Sequence, residues 1–214
     1  MFLSAATAFA LIGAFASAAP TSSPIFPPRS TSESFRLIAN VTANDLTPSI
    51  NGWELSSYHT GAGQGYAVLT NPTPSVGRIF YTNGTAEDIR YRQSDILSDG
   101  GTPLFPFGIV LNQDKSVSVN AGLGTPGVNL ALFPDPISAL STVGKDGFHA
   151  CQTALPFSPV QIYTRAYEEE TPAGCADVRL LAQCSESSGA EHPFGAISGC
   201  YADVKGIDWS IYSA

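Results

Sequence analysis

Residues 107–132 read FGIVLNQDKSVSVNAGLGTPGVNLAL. Three short apolar or alternating runs, FGIVLN, SVSVNA and GVNLAL, are separated by Gln113-Asp114-Lys115 and by the Gly/Pro-rich stretch Leu123 to Gly127. The middle run puts Val117, Val119 and Ala121 on one side and Ser116, Ser118 and Asn120 on the other, the two-residue period of a half-buried strand. The same rhythm continues outward. GYAVLT from Gly65, GRIFYTN from Gly77, FHACQTAL from Phe148, PVQIYTRAY from Pro159, ADVRLLAQC from Ala176 and ISGCYADV from Ile197 are all β-type runs between turn-forming clusters. From Phe35 to Thr42 the apolar residues Phe35, Leu37, Ala39 and Val41 alternate with the polar Arg36, Asn40 and Thr42. Runs this short, recurring roughly every 10 to 15 residues, predict an all-β, single-domain antiparallel β-sandwich, with a β-barrel as the alternative. Helix signals are few: a capping box at Thr85-Ala86-Glu87-Asp88, and Asp135-Pro136 as N-cap and first helical residue before ISALSTV.

Residues Met1 to Ala18 carry no charged side chain and end on the small triplet Ala16-Ser17-Ala18, which reads as a secretory signal peptide cleaved after Ala18. Residues 19–34 form a Pro/Ser/Thr-rich leader expected to be disordered, and 35–214 a single β domain. With eighteen acidic against ten basic side chains, net charge −8 and no Lys/Arg cluster, nucleic acid and anionic membrane surfaces are excluded as partners. The expected product is a secreted, extracellular monomer with no membrane association after signal cleavage. Two sequons, at Asn40 and Asn83, fit that compartment. Asn40 lies on the polar side of its strand, and Asn83-Gly84 has the composition of a hairpin turn.

The four cysteines, Cys151, Cys175, Cys184 and Cys200, are an even set in a secreted chain and predict two disulfides. Cys175 and Cys184 flank a Gly- and Pro-free stretch that separates them by about 30 Å as a strand or about 13 Å as a helix, beyond disulfide reach. Two pairings remain: Cys151 with Cys175 plus Cys184 with Cys200, or Cys151 with Cys184 plus Cys175 with Cys200. The first is preferred. A four-cysteine zinc site lacks any C-x-x-C pair.

No catalytic constellation is written in the chain, and no metal or cofactor site is expected. The three histidines, His59, His149 and His192, show no metal-ligand spacing, and no nucleophile elbow occurs. His59 with Gly61, Gly63 and Gly65 forms a candidate binding loop, though a tight glycine turn explains the same residues. His149 reads as a satisfied, semi-buried strand histidine and His192 as a surface-loop residue. Glu168-Glu169-Glu170 reads as a solvated loop. Trp53, Trp209 and the tyrosines Tyr58, Tyr66, Tyr81 and Tyr91 offer flat rings for sugar stacking, against which packing at the core or rim is the plainer role for Trp53.

The segments INGWELSSYHTGAGQGYAVL, FYTNGT, ILSDGGTPLFPFGIVLN, VNAGLGTPGVNL, PAGCADVRLLAQC and SGCYADV together resemble a family of small secreted proteins of filamentous ascomycete fungi that carry a domain of unknown function. The resemblance covers Phe35 to Val204 and implies a secreted, disulfide-containing domain without an assigned activity or catalytic residues. The expectation is a non-enzymatic extracellular or cell-wall domain whose partner is a wall polysaccharide or a host protein. The alternatives are a secreted hydrolase using a dispersed acid pair or His59, and a secreted effector.

Overall fold

The computed structural model describes residues 26–73, 76–132 and 135–212; the expected signal peptide and residues 19–25 of the expected leader lie outside them. Fifteen strands occur among the described residues: β1 (Ser30–Ser32), β2 (Ser34–Ala43), β3 (Glu54–Gly61), β4 (Gln64–Thr70), β5 (Phe80–Asn83), β6 (Asp95–Gly100), β7 (Phe105–Leu111), β8 (Val117–Ala121), β9 (Val128–Leu130), β10 (Leu140–Thr142), β11 (Gly147–Gln152), β12 (Val160–Arg165), β13 (Cys175–Ser185), β14 (Gly195–Ala196) and β15 (Ser198–Cys200). One short helix, α1 (Ala86–Arg90), and a final 3-10 turn at Trp209–Tyr212 complete them.

The main sheet runs β12-β11-β13-β2-β3-β4-β8-β7-β6-β5-β14, and two further pairings, β12 with β4 and β2 with β5, close it on itself. The circuit β12-β11-β13-β2-β5-β6-β7-β8-β4 is a nine-stranded barrel. The all-β expectation holds, and the architecture is the barrel rather than the favoured sandwich. What decides it is that the long β2 does not stop at one neighbour. It pairs with β13 along nearly its whole length, with β5 at Ser34 and Phe35, and with β3 at Ile38. Local alternation cannot report such a shared strand.

The opening stretch forms β7, β8 and β9. After β8 the loop at 122–127 folds back on β7, where Thr125 N–H donates to Ile109 O (2.9 Å) and Leu111 N–H to Thr125 Oγ1 (3.0 Å). Gly108 is required there, because a Cβ would collide with the backbone of Leu123 and Gly124.

Two cores result. Phe35, Leu37, Ala39, Leu55, Phe80, Ile109, Val119, Ile162 and Leu180 fill the barrel. A second, smaller core lies outside it, where Ile38 of β2 and Leu181 of β13 pack with Ile137, Tyr201 and Val204. Disulfides Cys151–Cys175 and Cys184–Cys200 form the preferred pairing. The first joins residues directly opposite each other on β11 and β13; the second ties β13 to β15.

Three local expectations are corrected. Ser30–Ser32 and Ser34, at the end of the leader, are strand residues, with β1 paired to β15 and Ser32 Oγ donating to Ser185 O (3.0 Å). Asn83-Gly84 is not a hairpin turn. Asn83 lies inside β5 between Asp95 and Gly195, and the chain passes through α1 before β6 returns. The Thr85 capping box does form and starts α1. Asp135-Pro136 starts no helix: Asp135 Oδ1 accepts only from Ile137 N–H (3.0 Å), and the following residues form β10 on β9, because burying Ile137, Leu140 and Thr142 outweighs the local cap signal.

Candidate functional site

At the end of the barrel where β3 starts, β4 and β11 finish and β12 begins, the wall opens into a hollow of about 300 Å³. Ile50, Leu69 and Val160, all buried in the barrel core, form its apolar lining, with Trp53 half-buried beside them. Phe157 lines it from the β11–β12 loop and is 99% exposed. The polar lining consists of amides and hydroxyls, including Asn71, Gln152, Thr70 and Ser158, and no lining residue is ionisable.

Two loops shape the hollow. Asp45 organises the first: Oδ1 accepts from Leu46 N–H (2.8 Å) and Ile50 N–H (3.1 Å), and Oδ2 from Ser49 Oγ–H (2.6 Å). Trp53 N–H then donates to Ile50 O (3.0 Å), and Trp53 O accepts from Ala39 N–H (2.7 Å), which seats the indole between loop and barrel. The second loop is closed at its base by Thr153, whose N–H and Oγ–H both donate to Pro159 O (3.1 and 3.0 Å). Inside it Phe157 and Ser158 both take left-handed backbone conformations, φ 66° and 44°. That is unfavourable for a bulky side chain by about 1–3 kcal/mol.

The residues singled out from sequence are scattered. His59 is exposed at the end of β3 opposite Gly65, and the tight hairpin through Gly61 and Gly63 (φ 69°) docks on β8 through Ala121 N–H to Gly63 O (2.8 Å). His59 does not line the Trp53–Phe157 hollow. The two sequon asparagines, Asn40 and Asn83, are half-buried within β2 and β5. Glu168 and Glu170 are exposed, whereas Glu169 pairs with Lys115 (2.5 Å). The aromatic residues do not share one platform: Tyr58 and Tyr66 face each other across β3 and β4, Tyr81 is buried, and Trp209 sits edge-on to Tyr201 (4.9 Å) with its Nε1–H on Val204 O (2.8 Å).

His149 is buried, as part of the β11 wall, but not satisfied, since its Nδ1 has no hydrogen-bond partner among the described residues. His192 is not a free surface residue. Its ring stacks on Tyr81 (3.5 Å) and its Nε2 meets Asp99 Oδ2 (3.0 Å), while Ser188 Oγ donates to the same carboxylate. Burial and the Asp99 charge push the Tyr81 phenol up to about 12. Serine, histidine and aspartate thus meet, but not in the order of a Ser-His-Asp triad. A triad needs histidine between nucleophile and carboxylate; here Asp99 stands in the middle, in contact with both Ser188 and His192. Arg78 completes the structural cluster, with Nη2 donating to Asp99 O (2.8 Å), Nε to Ser98 Oγ (3.0 Å) and its guanidinium over Phe107 (5.2 Å). Its burial lowers the guanidinium below the usual range, and Asp99 opposes that.

Trp53 is therefore both a packing residue and a cavity wall, whereas Phe157, Asn71 and Gln152 were missed by sequence reading. The only sequence signal for the second loop is Pro156-Phe157-Ser158-Pro159, an aromatic between two prolines where a strand cannot continue.

A family model described as a domain of unknown function (DUF7907) matches residues 32–184. A protein of Stachybotrys chartarum described as antigenic protein SchS34 is 38% identical over 215 residues, covering 88% of this chain and 95% of that protein. No solved structure matches. The chain belongs to the DUF7907 family, a family with fungal members.

Proposed function

We propose that this member of the DUF7907 family is a non-enzymatic, extracellular domain that binds a neutral cell-wall polysaccharide in the Trp53–Phe157 hollow. The observation that carries the reading is the lining: two aromatic rings, amides and hydroxyls, and no charge. A pyranose offers an apolar face for a flat ring and hydroxyls for amide partners, and a neutral polymer gains nothing from an ionised wall. Two disulfides in a chain of this size fit an oxidising compartment, and a relative described as antigenic fits a protein that leaves the cell. The hydrolase alternative has no geometric support, since His59 stands alone at a hairpin and Asp99 blocks the triad order.

The test is retention of the purified protein on insoluble chitin, β-glucan and mannan, compared with Phe157→Ala and Trp53→Ala. The expected outcome is retention on one of the three and a loss of about tenfold in affinity, or roughly 1.4 kcal/mol, for Phe157→Ala, whose ring contributes nothing to the core. Failure to bind any of the three polymers refutes the wall-binding reading.

A further inference from the structure

A second cavity, also about 300 Å³, lies on the barrel's flank, between the start of β11, β13 at Val178 and Arg179, and the segment carrying β10. Its chemistry is opposite to that of the end hollow. Lys145 and Arg179, both half-buried, line it, and neither has an ion pair or side-chain hydrogen bond among the described residues. The chain has only ten Lys and Arg, and Arg36, Lys115 and Arg165 all have carboxylate partners. Two half-buried cations at one cavity, without a carboxylate in contact and in a protein of net charge −8, leave an anionic ligand room to pair with both.

Two carboxylates also line the cavity, and neither is in ion-pair contact with Lys145 or Arg179. Asp146 Oδ2 pairs with Arg165 Nη2 (3.1 Å), and Asp135 Oδ1 accepts from Ile137 N–H. The rest of the wall is largely apolar, with Ile137, Leu140, Phe148 and Val178. Cations over an apolar wall select a molecule with a carboxylate at one end and a hydrocarbon body at the other, and a guanidinium takes a carboxylate in two parallel hydrogen bonds. The volume lies at the small end of ligand sites.

We infer that the flank cavity binds an amphipathic monocarboxylate, a medium-chain or aryl acid, with the carboxylate on Lys145 and Arg179 and the hydrocarbon body against Leu140, Phe148 and Val178. The site is separate from the Trp53–Phe157 hollow and does not depend on the polysaccharide reading.

Calorimetric titration of the whole protein at neutral pH with decanoate, decanol and decylamine, each below its aggregation concentration, tests it. Decanoate binds at least about tenfold more tightly than either analogue. Arg179→Gln and Lys145→Gln each weaken decanoate about tenfold and leave decanol unchanged, with melting temperatures near that of the parent; Phe157→Ala binds decanoate as the parent does. Equal affinity for decanol, tighter binding of decylamine, undiminished decanoate binding by both Gln variants, or no binding of decanoate overturns the inference. Loss of decanoate binding in Phe157→Ala moves the ligand to the end hollow and overturns it as well.

Discussion

At Leu180 and Leu181 the two sides of β13 are both dry, and they are dry for different reasons. On the inner side Val178, Leu180 and Ala182 face the barrel, where strands from the whole circumference exclude water. On the outer side Leu181 is equally buried, but its cover is a second core made with Ile137, Tyr201 and Val204 and backed by Trp209 from the end of the chain. That cover has little regular structure. It is fastened by the Cys184–Cys200 disulfide, by Val204 N–H to the Gln183 amide oxygen (3.0 Å) and by Ser138 N–H to the Tyr201 hydroxyl (2.8 Å). A cooperative core and a fastened flap present the same buried leucine to solvent measurements and should behave differently when broken.

The largest contrast is between Leu180→Ala and Leu181→Ala. Both remove a fully buried side chain, for which a loss of about 2–5 kcal/mol is usual. The rigid barrel wall cannot collapse onto the inner cavity, so Leu180→Ala belongs at the upper end. The flap can settle, so Leu181→Ala belongs near the lower end, with faster amide exchange confined to 201–212. Urea denaturation with hydrogen exchange separates the two, and equal losses with global exchange in both would show that the flap is part of one cooperative core.

Next in size is the clamp. Replacing Cys184 and Cys200 by Ser removes a 16-residue cross-link, worth about 3 kcal/mol in the chain-entropy account. The parallel removal of Cys151–Cys175 spans 24 residues and costs a similar amount, but β11 and β13 stay paired through neighbouring register positions. Limited proteolysis therefore should cut the first variant at 201–212 and the second only on global unfolding. Smaller again is Tyr201→Phe, which leaves the Ser138 N–H buried and unpaired at about 1–3 kcal/mol, read as a lower denaturation midpoint with unchanged slope.

The same contrast explains what the sequence discloses. The inner faces were legible: Phe35, Leu37 and Ala39 on β2, and Val117 and Val119 on β8, point to the core as their alternation requires. The outer faces were not. Ile38 and Leu181 interrupt the alternation, and a residue that breaks a two-residue period gives no sign of what covers it. Ser116 and Ser118, read as a solvent face, are buried, with Asn112 Nδ2 donating to both hydroxyls (3.0 and 2.8 Å). Reach along one strand is a local constraint, so the exclusion of Cys175 with Cys184 was legible, but it left two pairings open, and the preferred one is the one that forms. The end hollow was not, because it joins Trp53 to Phe157 across a barrel closure that depends on β12 meeting β4. Closure is a property of the whole circuit, and no window of sequence contains it.

The smallest effect comes from a polar stretch of the outer surface. His149 on β11 lies opposite Asp177 of β13 and Tyr163 of β12, and its ring stacks on Tyr163 (5.6 Å). Burial holds the imidazole below its ordinary value; Glu169 and Asp177 oppose that shift, and Lys115 and Arg165 add to it. The native state therefore binds its proton at lower pH than the unfolded chain. Above the ordinary histidine value of ~6.5 neither state is protonated, and stability is insensitive to this group. As pH falls below it the unfolded chain takes up the proton first, so stability drops until the native pKa is reached. His149→Phe keeps the stacking ring and removes the proton site. Its melting temperature should track the parent at neutral pH with a constant offset and fall less steeply below pH ~6.5. Parallel curves down to pH ~4 would show that the outer wall admits enough water at His149 to charge it freely, and that this part of the barrel's outer face, unlike the part under the flap, is not dry.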